Sequence, residues 1–144
     1  MKKEMNNKGF SLVELIIVIA IMAVLVGVLA PQYLKYVNNS KVSTDITNAG
    51  TLNTAFSAAI ADGKINLPTS GTTTISGNGG TAITSASTWG LAMDNWPAGT
   101  LDASNAVWNV IIGTKGVEKI TLSGYEVFPN PDNSTSGYKK TFNK

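Results

Sequence analysis

The chain has 144 residues, 43% of them apolar, and its eleven basic residues, all lysine, face nine acids for a formal charge of +2. It contains neither cysteine nor histidine. That excludes disulfide staples and thiol chemistry, and it removes the usual base for a serine or threonine nucleophile and nearly all transition-metal ligand sets, so composition weighs against an enzyme.

The charge is unevenly placed. Lys2, Lys3 and Lys8 precede a long apolar block, and from Lys35 onward eight lysines face seven acids. A nucleic-acid surface needs a clustered excess of positive charge, so no specific nucleic-acid partner is expected. The tail lysines Lys139, Lys140 and Lys144 read as a solvated terminus.

In residues 10–30 the only non-apolar members are Ser11 and Glu14. At about 1.5 Å rise per residue, 21 residues of helix reach roughly 30 Å, the thickness of a bilayer's hydrocarbon core. The preceding lysines favour an N-terminus on the cytoplasmic side and a C-terminal domain outside. A cleaved secretory signal, with a site after "VLA" before Pro31, and a permanent single-span anchor are the ordinary alternatives. Neither accounts for Glu14. A carboxylate at the bilayer centre costs about 2.5–3.5 kcal/mol, less near the interface, and such a charge usually has a partner or a function. No basic residue lies between Phe10 and Leu34. The expected partner for the charge therefore comes from another molecule, or from a charge created by processing.

The stretch "KGFSLVEL", residues 8–15, the unbroken apolar run after it, and Pro31 resemble the N-terminal signature of type IV prepilins and their pseudopilin relatives. The family pattern is a short basic leader ending in glycine, then phenylalanine, then glutamate at the fifth position of the processed chain, matched here by Gly9, Phe10 and Glu14. The resemblance covers about a quarter of the chain. It implies that residues 1–9 are a leader, that a prepilin peptidase cuts between Gly9 and Phe10, and that the new Phe10 amine is methylated. It also implies that residues 10–34 first anchor the subunit in the cytoplasmic membrane and then form the core of a helical filament of identical copies. An assembly platform and minor pilins are the further partners implied. Cleavage makes a cationic amine, and methylation keeps its charge. A neighbouring subunit's Glu14 is then expected to pair with it, which in low dielectric penalises wrong axial registers.

Pro31 has no amide hydrogen for the carbonyl of Gly27, so the pair marks a weak point where the stem either bends during packing or is statically kinked.

The fold implied is α+β, a type IV pilin architecture in which a long N-terminal helix packs on a small antiparallel sheet. Residues 35–144 are expected to form the head: helix to about 62, a variable loop at about 63–105, a sheet at about 106–128 and a terminal loop at 129–144. Val42, Ile46, Ala49, Leu52, Phe56, Ala59 and Ile60 recur at helical spacing, with Asp45 and Asn53 in the same arc, and Asp62-Gly63 reads as a stop. Residues 69–87, rich in Thr, Ser and Gly, read as a loop or a pair of weak strands. Residues 88–99, with Trp89, Leu91, Met93 and Trp96, read as a packed connection compatible with a helical turn. Residues 106–112, 117–122 and 125–128 carry the strand signal of an antiparallel meander.

Many type IV pilins tie down the C-terminal region with a disulfide, which this chain cannot form, so hydrogen bonding or sheet pairing is expected to close it. Asp94, Asn95, Asp102 and Asn105 offer oxygens, but their spacing matches no calcium loop, and neither a metal nor another cofactor is expected. The leading functional reading is a structural subunit of a type IV pilus serving adhesion, twitching motility or DNA uptake. The alternatives are a pseudopilin of a type II secretion or competence system, and a minor or tip pilin binding through Trp89 and Trp96.

Overall fold

A single helix, α1 (Leu12–Ala61), accounts for the first third of the chain, although its two halves have different reasons to be helical. The computed structural model describes residues 9–84, 91, 93–99, 106–132, 137 and 138. Lys2, Lys3, Lys8, Trp89, Asp102, Asn105, Lys139, Lys140 and Lys144 lie outside the described residues. The chain divides into two compact units, Met1–Tyr36 and Val37–Lys144.

In the first unit every described residue is exposed. The helix there is apolar on all sides, the pattern of a segment whose surroundings are themselves apolar. It is long and apolar enough to cross a membrane.

In the second unit α1 is amphipathic. Val42, Ala49, Leu52, Ala55, Phe56 and Ala59 are buried, and Ile46 and Ile60 are half-buried against them, along the arc expected from their spacing. Threonine and serine are poor helix formers, and several hydroxyls here bond back to the carbonyl four residues earlier, as Thr44 does to Ser40 and Thr51 to Thr47. Burial of the apolar arc, rather than propensity, holds this half helical. The stop is a glycine cap. Gly63 has φ of 69°, Gly63 N–H donates to the Ile60 carbonyl and Lys64 N–H to that of Ala59, the paired bonds of a Schellman ending.

The sheet that covers this arc is an antiparallel meander of four strands in chain order: β1 (Thr73–Asn78), β2 (Val107–Gly113), β3 (Gly116–Leu122) and β4 (Tyr125–Phe128). Its inner face carries Trp108, Val110, Ile112, Ile120, Leu122 and Val127, all buried. The last three strands lie where the alternation of apolar residues places them. β1 belongs to the segment read as a loop or weak strands, and it joins because Ile75 falls opposite Val110 and Gly77 opposite Trp108.

Residues 93–97 form the packed connection expected, without a helical turn. Asn95 bridges Ala82 in antiparallel fashion, Trp96 N–H donates to the Thr81 carbonyl, and Gly80 N–H donates to that of Trp96. This pairing drives the Trp96 ring into the core, where it stacks on Phe56 at 5.9 Å between centroids. Room for the ring comes from Gly77, where a β-carbon would overlap the indole. Gly77→Ala is therefore expected to destabilise the head by about 1–3 kcal/mol through overpacking. Thermal unfolding of the full chain in detergent, followed by near-UV circular dichroism, would measure it, and an unchanged midpoint would refute this packing.

Candidate assembly site

The start of α1 is capped from both directions. Ser11 Oγ accepts from the Val13 N–H at 3.3 Å, and a Glu14 carboxyl oxygen accepts from the Ser11 N–H at 2.9 Å. This is the reciprocal logic of a capping box, in which the serine and the glutamate three residues on satisfy amide groups that a helix start leaves without partners. An acid in the first turn also sits favourably against the helix dipole. Glu14 thus has a hydrogen-bond partner in its own helix, and the carboxylate in the apolar block has a local structural reason that the sequence reading above does not supply. The signal was present in the spacing of Ser11 and Glu14, which is the Ser-x-x-Glu pattern preceding an apolar run. No cation among the described residues of this unit faces the carboxylate, since Lys35 is more than 20 residues away in the same helix.

Phe10 is 90% exposed, just before the cap. An added β-carbon at Gly9 would meet nothing within 4 Å among the described residues, none of which calls for glycine there. The same holds for Gly27. The helix is continuous through Pro31, which leaves the Gly27 carbonyl without the amide donor that a helix normally supplies four residues on. Glu14, Gly27 and Pro31 are spread along the exposed stem.

In the second unit a different polar arrangement ties residues 137 and 138 to α1 and β4. Tyr138 is 1% exposed, and its hydroxyl donates to a carboxyl oxygen of Asp45 at 2.5 Å, while Asp45 is itself fully buried on α1. Gly137 bridges Glu126 of β4 in parallel fashion. Glu126, 5% exposed, accepts from the Asn130 N–H at 3.3 Å and has Lys119 Nζ at 3.8 Å. Hydrogen bonding and strand pairing thus hold Gly137 and Tyr138 against the head without a disulfide. Neither Asp45 nor Tyr138 stood out as functional in the sequence, because one reads as an interruption of the apolar arc and the other as part of a polar loop.

Trp96 is 3% exposed, so its ring is core and presents no binding face. Among the described residues no group of three or more acids forms a metal-holding cluster.

A helix apolar all round, capped by an acid and followed by an amphipathic half under a small meander, defines a stem-and-sheet α+β class of protein. The profile of the prokaryotic N-terminal methylation motif matches residues 5–30. The chain is 41% identical over 58 residues to the type IV major fimbrial protein FimA of Dichelobacter nodosus, covering 40% of this chain and 37% of that protein. A fimbrial protein of Pseudomonas aeruginosa is 40% identical over 58 residues, covering 40% and 38%. A probable minor fimbrial protein of Dichelobacter nodosus is 30% identical over 138 residues, covering 94% of this chain and 70% of that protein. The chain spans well under half the length of the FimA and Pseudomonas proteins it matches. No solved structure matches it at comparable significance. On the near full-length match, the chain belongs to the type IV fimbrial protein, or prepilin, family.

Proposed function

We propose that the chain is a structural subunit of a type IV pilus, held in the cytoplasmic membrane by residues 10–34 and then polymerised through the same stem into a surface filament. The observation that carries this reading is the fully exposed apolar helix of the first unit, with Glu14 at its start, in a chain of the prepilin family. A stem apolar on every side has no use in water and needs either lipid or other stems around it.

In this reading a prepilin peptidase removes residues 1–9, and Phe10 becomes a methylated, cationic N-terminus. The capping bond from Ser11 to Glu14 survives that cut, because Ser11 keeps its amide hydrogen. The second carboxyl oxygen of Glu14 remains available to the Phe10 amine of a neighbouring subunit, and Gly27 with Pro31 gives the stem a point that yields during packing. The head, residues 35–144, tiles the filament surface, with adhesion, motility or DNA uptake as properties of the fibre. An assembly platform and minor pilins complete the machinery.

The match to a probable minor fimbrial protein favours a second reading, a subunit present in few copies. The buried Trp96 speaks against a tip adhesin that binds through that ring.

N-terminal sequencing of purified surface filaments tests both. Methylated Phe10 as the first residue of the bulk protein is the expected result. The same N-terminus at a few copies per filament would select the minor-subunit reading. A mature chain beginning beyond Pro31 would refute both.

A further inference from the structure

We propose that Tyr33 and Tyr36, with Lys35 between them, form an interfacial anchor that docks the stem to the outer headgroup layer of a phospholipid bilayer before assembly. The inference rests on the reading of the chain as a membrane-held subunit and adds to it what sets the depth of the stem.

Both tyrosines are large, amphipathic and left in the open, Tyr33 at 67% and Tyr36 at 72% exposure, within the unit that ends at Tyr36. They are three residues apart on a helix, so they lie on neighbouring positions of one face. Their place along the axis fits a membrane boundary. From Leu12 to Ala30 is about 19 residues and roughly 28 Å of helix, close to the thickness of a hydrocarbon core. The first polar side chains beyond that length are Gln32, Tyr33, Lys35 and Tyr36.

Side-chain direction sharpens the fit. Helical side chains lean toward the N-terminus, which here points into the membrane. Tyr33 accordingly lines a shallow apolar groove with Leu25, Val26, Leu29 and Ala30, about a turn below its own backbone. Its ring then lies at the edge of the acyl chains, and the Tyr36 ring about 4.5 Å further out, the two straddling the headgroup boundary. Tyrosine favours this layer because its ring is apolar and its hydroxyl is wet. Lys35 carries its charge on a long apolar stalk that reaches the phosphates while its carbons stay low.

The chain has no cysteine, so single cysteines carry spin labels without background. The full chain, labelled in turn at Val18, Leu25, Leu29, Gln32, Leu34 and Asn39 with both tyrosines kept, is reconstituted into vesicles of phosphatidylcholine and phosphatidylglycerol. Collision with oxygen reports acyl chains, and collision with a water-soluble nickel chelate reports the aqueous side. The crossing from oxygen to nickel access is expected between residues 32 and 36. In the Tyr33→Ala/Tyr36→Ala background it is expected to move by at least one helical turn, about 5.4 Å, and Tyr33→Trp/Tyr36→Trp is expected to restore it. A crossing that does not move in the alanine background overturns the anchor while leaving membrane insertion intact. Labels at Gln32 and Leu34 that are closed to nickel and broadened by neighbouring labels would place the tyrosines between copies of the stem, which also overturns it. Nickel access at Val18 and Leu25 would overturn both the anchor and the membrane-held reading beneath it.

Discussion

Glu14→Val is expected to yield a processed, membrane-inserted subunit that adds to filaments roughly two to four orders of magnitude less favourably than the native one. Removing one partner of a buried charge pair leaves the other unpaired, at a cost of about 3–5 kcal/mol, and each 1.4 kcal/mol is about a factor of ten. The structure adds a second loss, because valine also cannot accept the Ser11 amide bond. A lost helix cap costs about 1 kcal/mol, too little to abolish assembly. Glu14→Gln separates the two. Glutamine retains a carbonyl acceptor at the position where a capping box takes either Glu or Gln, but it carries no charge. If charge pairing sets the register, both variants fail to assemble, as counted by filament protein sheared from cells. If capping is the whole role of Glu14, the glutamine variant assembles like the native chain, and the pairing idea is lost.

Tyr138→Phe should lower the stability of the head by about 1–3 kcal/mol, the range for stripping a hydrogen bond from a buried polar group. For a unit of this size that corresponds to roughly 5–15 °C in the unfolding midpoint. The readout is the fluorescence of the buried Trp96 and Trp108 in the full chain in detergent. Because the bond ties Tyr138 to α1, limited proteolysis should also cut next to Tyr138 sooner. Asp45→Asn, combined with Tyr138→Phe, completes a double-mutant cycle, and a coupling near zero would show that the bond holds nothing in place. Both residues are buried, and both outcomes bear on how a cysteine-free member of this family closes its C-terminal loop.

The stem was legible from residues alone. An apolar run of this length has few uses, a carboxylate within it is expensive, and the glycine, phenylalanine and glutamate stand at the spacing of the N-terminal methylation motif. The long helix, its glycine stop and the last three strands were legible for a similar reason, since periodicity and turn residues act over a few neighbours in the chain. What Glu14 does for its own helix was also written in Ser11, but the cost of the charge drew the reading away from the simpler capping pattern.

The residues that closed the head were a different matter. β1 carries one large apolar side chain, Ile75, and becomes a strand because β2 offers an edge and Gly77 leaves room for Trp96. Trp96 read as part of a packed connection, but only the pairing of residues 80–83 with 93–97 shows that its ring packs on Phe56. Asp45 and Tyr138 are separated by 93 positions, and nothing local to either announces the bond between them. Chain order alone determined the apolar stem and the class of fold, because those depend on composition and near-neighbour spacing. Tertiary structure decided which polar groups are buried and with whom they pair, because that depends on distant segments competing for the same inner face of one small sheet.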